Sequence, residues 1–197
     1  MQKIPHIGVL ALQGAFIEHE NMLMRLGARC HEIRKLTDLD KPLDGLVLPG
    51  GESTVQKKLL HDLGLFEPLQ AKIRQNLPVL ATCAGLILLA DETEGRGDTD
   101  GLQTLPVCIK RNAYGRQLGS FATSGIIKGL PDESVPFSMR FIRAPYIAKV
   151  LNPKVNILAT VNNHIVAVSY QKQLALAFHP ELGDDLRIHQ AFLNIID

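Results

Sequence analysis

Short apolar runs alternate with helix-period stretches through the first half of the chain. Ile7 to Leu12 has the length of a buried strand, and Ile17 to Leu26 reads as a helix stopped by Gly27. Ala28 to Ile33 is strand-like, and Gly45 to Leu48 is a further strand. After Gly50-Gly51, Ser53 or Thr54 can cap a helix running to about Leu63, and Phe66 to Asn76 forms another with Pro68 in its first turn. Pro78 to Thr82 is apolar throughout, as a strand buried on both faces must be. This alternation predicts parallel strands joined by crossover helices, an α/β architecture.

The rhythm changes after Glu92. The stretch from Glu92 to Asp100, rich in glycine and charge, reads as a loop, and the remainder is more strand-like. Val155 to Val161 and Ile165 to Tyr170 flank Asn162-Asn163-His164 as an antiparallel hairpin, because asparagine tolerates the positive φ of a tight turn. Leu174 to Phe178 is the next strand. Asp184 and Asp185 suit the start of a last helix, whose Leu186, Phe192, Leu193 and Ile196 mark an apolar face. No internal repeat or low-complexity tract interrupts the pattern.

With 197 residues, 46% of them hydrophobic, the chain suits one domain, residues 1–197, around a single core. Lys plus Arg (21) nearly balances Asp plus Glu (20), which argues against a nucleic-acid partner. The longest apolar run, Pro78 to Ala90, is too short to span a bilayer, and the N-terminus lacks the layout of a secretory signal. A cytoplasmic protein with no membrane association is expected. The three cysteines form no CxxC pair, and neither they nor the seven histidines are spaced as a metal site.

Cys83 stands apart from the other two. In Val79-Leu80-Ala81-Thr82-Cys83-Ala84-Gly85-Leu86 it sits where a buried strand turns into a helix, with small residues two before and two after it. This is the layout of a nucleophile elbow, predicted to leave the thiol exposed and activated by the helix start. A small core hydrophobe is the competing reading. Cys30 and Cys108 lie in ordinary strand-like runs without that collar and read as core residues.

A thiol that attacks an amide needs a base that can also protonate the departing nitrogen, and imidazole suits both tasks. His179 ends an apolar strand and precedes Pro180-Glu181. Proline favours extended geometry before it, and residues two apart in an extended chain share a side, so His179 and Glu181 can enter one pocket. The carboxylate would orient the ring, completing a Cys-His-Glu triad. By contrast His164 is expected in the hairpin turn, and His19, His31, His61 and His189 on helical or surface patterns.

Leu48-Pro49-Gly50-Gly51-Glu52-Ser53-Thr54 joins a parallel strand to a helix, at the sheet edge where α/β proteins bind ligands. Amides of Gly50 or Gly51 and of Ala84 are candidates for an oxyanion hole. A plain turn or phosphate cradle competes, but no Walker ending follows. Arg111 and Arg143 are candidate clamps for an amino-acid carboxylate, since guanidinium matches it bidentately.

Those segments, with Arg111-Asn112-Ala113-Tyr114-Gly115-Arg116-Gln117, Phe141-Ile142-Arg143-Ala144-Pro145 and Phe178-His179-Pro180-Glu181-Leu182, closely resemble the glutaminase subunits of pyridoxal 5′-phosphate synthase. The likeness begins at Gly8-Val9-Leu10-Ala11-Leu12-Gln13-Gly14 and spans nearly the whole chain. It implies a three-layer class I glutamine amidotransferase fold of flavodoxin-like type: a mostly parallel central sheet, helices on both faces and an antiparallel extension in the second half. It implies that Cys83 is the nucleophile, His179 the base and Glu181 its orienter. L-Glutamine would be held by Gly50, Gly51, Glu52, Arg111, Ile142 and Arg143, with no cofactor. The implied partner is a (β/α)8-barrel synthase subunit that receives ammonia, with contacts near Gln13 and Gly14 reorienting the Pro49-Gly50-Gly51 peptide. Ala81 stands where the family usually has glycine, and Gly183 where threonine is common. A cysteine peptidase or chaperone-like hydrolase would carry histidine directly after the elbow cysteine, where this chain has Ala84.

Overall fold

Strand β1 (His6–Leu10), helix α1 (Phe16–Arg25), β2 (Arg29–Ile33), β3 (Gly45–Leu48), α2 (Ser53–Asp62), α3 (Phe66–Arg74), β4 (Val79–Thr82) and α4 (Ala84–Leu89) follow the alternation of the sequence. Helix α1 ends where Gly27 takes φ of 85°, a conformation that a side chain would strain. The computed structural model describes residues 3–95, 97–98, 101–111 and 119–196. Beyond α4 come β5 (Ala90–Thr93), β6 (Gly97–Asp98), β7 (Leu105–Lys110), β8 (Ser120–Gly125), β9 (Phe137–Ile142), β10 (Tyr146–Val150), β11 (Asn156–Val161), β12 (His164–Tyr170), β13 (Gln173–Leu176) and α5 (Arg187–Ile196).

Eleven of these strands form one mixed sheet, ordered β2-β1-β3-β4-β13-β12-β10-β7-β5-β6, with β11 paired to β12. The first five are parallel to one another. From β13 onward the pairing is antiparallel, except between β5 and β7. Strands β8 and β9 form a separate two-stranded sheet. Successive strand residues face opposite sides. A Cβ on Gly45 would meet Phe192 and Ile196 of α5, whereas one on Gly85 of α4 would meet Leu48, so β3 carries α5 on one face and α4 on the other. Helix α1 packs with α5, and α2 with α3 and α4, giving the three layers of an α/β fold.

Several local expectations change. Part of the glycine-rich stretch after Glu92 is a hairpin, with Glu92 paired to Asp98 and Thr93 to Gly97, because β5 can add to the edge of β7. Helix α2 is capped by Glu52, which accepts from the Thr54 N–H at 3.4 Å, one residue earlier than predicted. Asn162 and Asn163 do take positive φ in the β11–β12 turn. His164, expected in that turn, instead opens β12 opposite Val161 and stacks on Tyr146. Among the described residues no helix is long and apolar enough to cross a membrane.

Candidate active site

Every residue of β4 is buried, so its carboxyl end is held firmly where the chain turns into α4. Cys83 makes that turn at φ 48° and ψ −97°, a conformation costing on the order of 1–3 kcal/mol for a residue with a side chain. Its N–H donates to the Leu176 carbonyl of β13 at 2.8 Å, and its carbonyl accepts from Ile87 at 3.3 Å. A Cβ on Gly85 would lie 2.1 Å from the Leu48 carbonyl oxygen, which explains the small collar. The elbow therefore forms as predicted, but the thiol is not exposed. Cys83 is only 6% accessible, and its Sγ donates to the Ile142 carbonyl at 3.9 Å. The chain at the end of β9 covers it, a tertiary contact invisible in local sequence.

His179 follows β13, the neighbour of β4, so its ring arrives beside Cys83 through strand adjacency. Its N–H donates to the Arg140 carbonyl of β9 at 2.9 Å. Pro180–Leu182 forms a 3-10 turn rather than continuing extended, and this turn brings Glu181 Oε1 to 2.7 Å from His179 Nδ1. Burial disfavours a charged His179 ring, but hydrogen bonds to Cys83 and Glu181, and their negative charge, outweigh it and raise the imidazole to about 10. Burial likewise pushes Glu181 up, yet the adjacent rings of His19 and His179 hold it below the usual carboxylate range.

The glycine loop lies against this pair. A Cβ on Gly50 would fall 2.3 Å from His179 Cε1 and 3.4 Å from Cys83 Cβ, so only glycine fits there. Of the predicted oxyanion donors, the Gly50 N–H is already engaged, donating to Thr82 Oγ1 at 3.0 Å. The Gly50 carbonyl accepts from Ala15 at 3.1 Å, so the planar trans peptide directs the Gly51 N–H away from that helix start. Ala84 opens α4, where an N–H lacks an intrahelical acceptor. The Gln13 side chain accepts from the Glu52 N–H at 2.6 Å, and Gln56 donates to the Gln13 and Pro49 carbonyls. This loop and the start of α1 are one hydrogen-bonded unit.

Arg111, just beyond β7, donates to Thr54 Oγ1 at 3.3 Å and lies 3.6 Å from Glu52 Oε1, at the mouth of α2. Residues 112–117 of the Arg111 segment lie outside the described residues. Arg143 takes φ of 44° directly after Ile142, with its N–H donating to Gly119. Cys30 and Cys108 sit in β2 and β7, where burial, ahead of nearby acidic groups, pushes Cys30 up to about 12 and raises Cys108. A cavity of about 450 Å³ lined by Lys3, Asp44, Lys72 and Lys172 lies at the amino ends of the strands. It holds none of the predicted residues and is at the wrong end of the sheet for them.

Sequence reading missed a second buried group. His19 and His189 are fully inaccessible, with His19 Nδ1 2.9 Å from His189 Nε2. His19 Nε2 lies 3.2 Å from Thr82 Oγ1 and 3.4 Å from Glu181 Oε2. Their helical positions carried no sign of this, since the two are 170 residues apart and meet only because α1 packs with α5.

The SNO glutamine amidotransferase family matches residues 9–197. The chain belongs to that family. A curated relative from Desulfitobacterium hafniense (strain DSM 10664 / DCB-2), named pyridoxal 5′-phosphate synthase subunit PdxT, is 57% identical over 190 residues, covering 96% of this chain and 92% of that one. A relative of the same name from Methanocorpusculum labreanum is 54% identical, covering 96% and 97%. A solved glutamine amidotransferase superposes with TM-score 0.88 at 40% identity, covering 96% of this chain and 98% of its own. The likeness extends to PurLQS from Thermotoga maritima, TM-score 0.67 at 15% identity over 99% of this chain and 100% of that one, where it speaks for the fold alone. The expected class I glutamine amidotransferase fold and glutaminase class both stand on these relatives.

Proposed function

We propose that this amidotransferase is the glutaminase subunit of a pyridoxal 5′-phosphate synthase, hydrolysing L-glutamine through Cys83, His179 and Glu181. The observation that carries the chemistry is the buried His179–Glu181 contact of 2.7 Å beside Cys83 at a strained elbow. A raised His179 supports a ring that readily takes the Cys83 proton and holds it for the departing nitrogen.

The Cys83 sulfur attacks the side-chain carbonyl carbon of glutamine, and the negative oxygen is met by the Gly51 and Ala84 amides. Gly50 contributes by admitting the His179 ring rather than by donating. His179 gives its proton to the amide nitrogen as the carbon–nitrogen bond breaks, releasing ammonia and leaving a thioester. Water then attacks the thioester, giving its proton to His179, and glutamate departs as the thiolate re-forms. Glu181 keeps the imidazole oriented through both steps. Glu52, Arg111, Ile142 and Arg143 frame the amino-acid end of the substrate.

Ammonia released into neutral water is protonated and loses its nucleophilicity, so the product must pass directly to a docked synthase. The names of the curated relatives support the pyridoxal phosphate assignment, and the family resemblance makes the partner a (β/α)8 barrel. Contacts linking Gln13, Ala15 and Gly50 favour partner docking at the start of α1 as the event that sets the glycine loop. The deciding assay measures glutamine hydrolysis with and without the synthase subunit. Wild type should be strongly activated by the partner and Cys83→Ala silent; equal rates in the two proteins would refute the nucleophile.

A further inference from the structure

Behind the proposed triad, the Glu181 carboxylate has one oxygen on His179 and another that is buried without a hydrogen-bond partner of its own. His19 Nε2 lies 3.4 Å from that second oxygen, Oε2, and the same nitrogen is 3.2 Å from Thr82 Oγ1. Thr82 in turn accepts from the Gly50 N–H. Four elements therefore converge on one ring: α1 supplies His19 and its neighbour Glu18, the 3-10 turn and its cap supply Glu181 and His179, β4 supplies Thr82, and α5 supplies His189.

The tautomer follows from what each nitrogen faces. With the proton on Nδ1, the Nε2 lone pair would point between a hydroxyl oxygen and a carboxylate, and His189 would bury an N–H on Nδ1 with no acceptor. With the proton on Nε2, the carboxylate faces a donor, His189 donates from Nε2 to His19 Nδ1, and only the His189 Nδ1 lone pair is left over. An orphaned acceptor is tolerated better than an orphaned N–H. Burial keeps both rings neutral. It lowers His19 against the raising charge of Glu181, with His179 lowering it further and Glu18 raising it, and together with His19 it takes His189 down to about 2.

We propose that His19 is a positioning residue for the glutaminase reaction, held with its proton on Nε2 by His189 and offering that proton to both Glu181 and Thr82. One buried imidazole thereby fixes the carboxylate that orients the base and the hydroxyl that anchors the Gly50 loop. The inference rests on the triad reading above, and its test separates the two.

Glutamine places its amide nitrogen near the position of histidine Nε2, whereas asparagine reaches only to the Nδ1 position. In the complex with the synthase subunit, His19→Gln should keep kcat within about threefold. His19→Asn should lose roughly tenfold to a hundredfold, as for a hydrogen bond to a charged group, with KM for glutamine little changed. The Asn variant should also move the acid limb of kcat to higher pH, because an unsupported buried Glu181 protonates sooner. Alkylation of Cys83 by iodoacetamide should show the same displaced limb without turnover. A purely structural role predicts equal losses in both variants and an unmoved limb, which would overturn the proposal. Imidazole nitrogen-15 NMR of the wild-type protein needs no variant and should find His19 neutral and protonated on Nε2; an Nδ1 proton would also overturn it. Lack of Cys83-dependent glutamine hydrolysis by the wild-type complex would instead sink the triad reading.

Discussion

The central parallel strands of the main sheet, β3, β4 and β13, form a half built to a different tolerance from the strands of the other half, which include the separate β8–β9 pair. Strands β3, β4 and β13 are buried at every position, whereas β8 alternates between exposed and half-buried residues and β11 is largely open. Cys83 and His179 leave adjacent strands of the tight half, while Arg111, Ile142 and Arg143 come from the looser one. The proposed catalytic pair stands on the rigid scaffold, and the residues proposed to frame glutamine stand where some adjustment is tolerated.

Substitutions in the two halves should therefore differ in kind as well as size. Gly85→Ala puts a methyl group 2.1 Å from a backbone oxygen that cannot withdraw, and should cost about 3 kcal/mol or more in urea unfolding. Near-native stability there would contradict the rigidity of the elbow. Gly50→Ala drives a methyl into the His179 ring and should lower kcat on the order of a hundredfold, with a smaller change in melting temperature. On the looser side, Arg111→Ala should raise KM for glutamine about tenfold while kcat holds, the mark of lost substrate binding. A fall in kcat at constant KM would erase the proposed division of labour.

Acid reaches the tight half through its buried histidines. His19 and His189 are lowered from 6.5, His189 to about 2, so the unfolded chain takes up protons that the folded one refuses. Their neutral burial is unpenalised above about pH 6.5, and stability then falls with acid by about 1.4 kcal/mol per pH unit for each ring. His179, raised to about 10, has the opposite sign: its contribution is complete below about 6.5 and is lost as pH rises through 10. His189→Leu should flatten the acid slope by about one proton in unfolding titrations at stepped pH, and an unaltered slope would mean that His189 is not a source of the acid sensitivity. The smallest effect is expected from Gly125→Ala in β8, whose methyl would meet only the flexible end of Met139 at 3.3 Å. It should be neutral or stabilise by about 0.5 kcal/mol in the same measurement.

Local pattern was enough for much of this molecule. Strands β1, β3 and β4, helices α1 to α3 and the Asn162-Asn163 turn are legible because their apolar spacing, stop glycine and turn residues act within a few positions. Cys83 among small residues and the His179-Pro180-Glu181 run named the candidate triad for the same reason. The β5–β6 hairpin was not legible, because a charged, glycine-rich stretch becomes strand only by adding to the edge of β7.

The amino-acid sequence by itself determined that a cysteine would sit at a strand-to-helix elbow and that a carboxylate would follow the histidine closely. Tertiary structure alone decided that β4 and β13 are neighbours, that the end of β9 covers the thiol, and that α1 and α5 bring two distant histidines behind Glu181. Elbows and turns arise from short-range sterics, which a few residues encode. Burial, access and the partner of each polar atom depend on which elements pack together, and that is a property of the whole core.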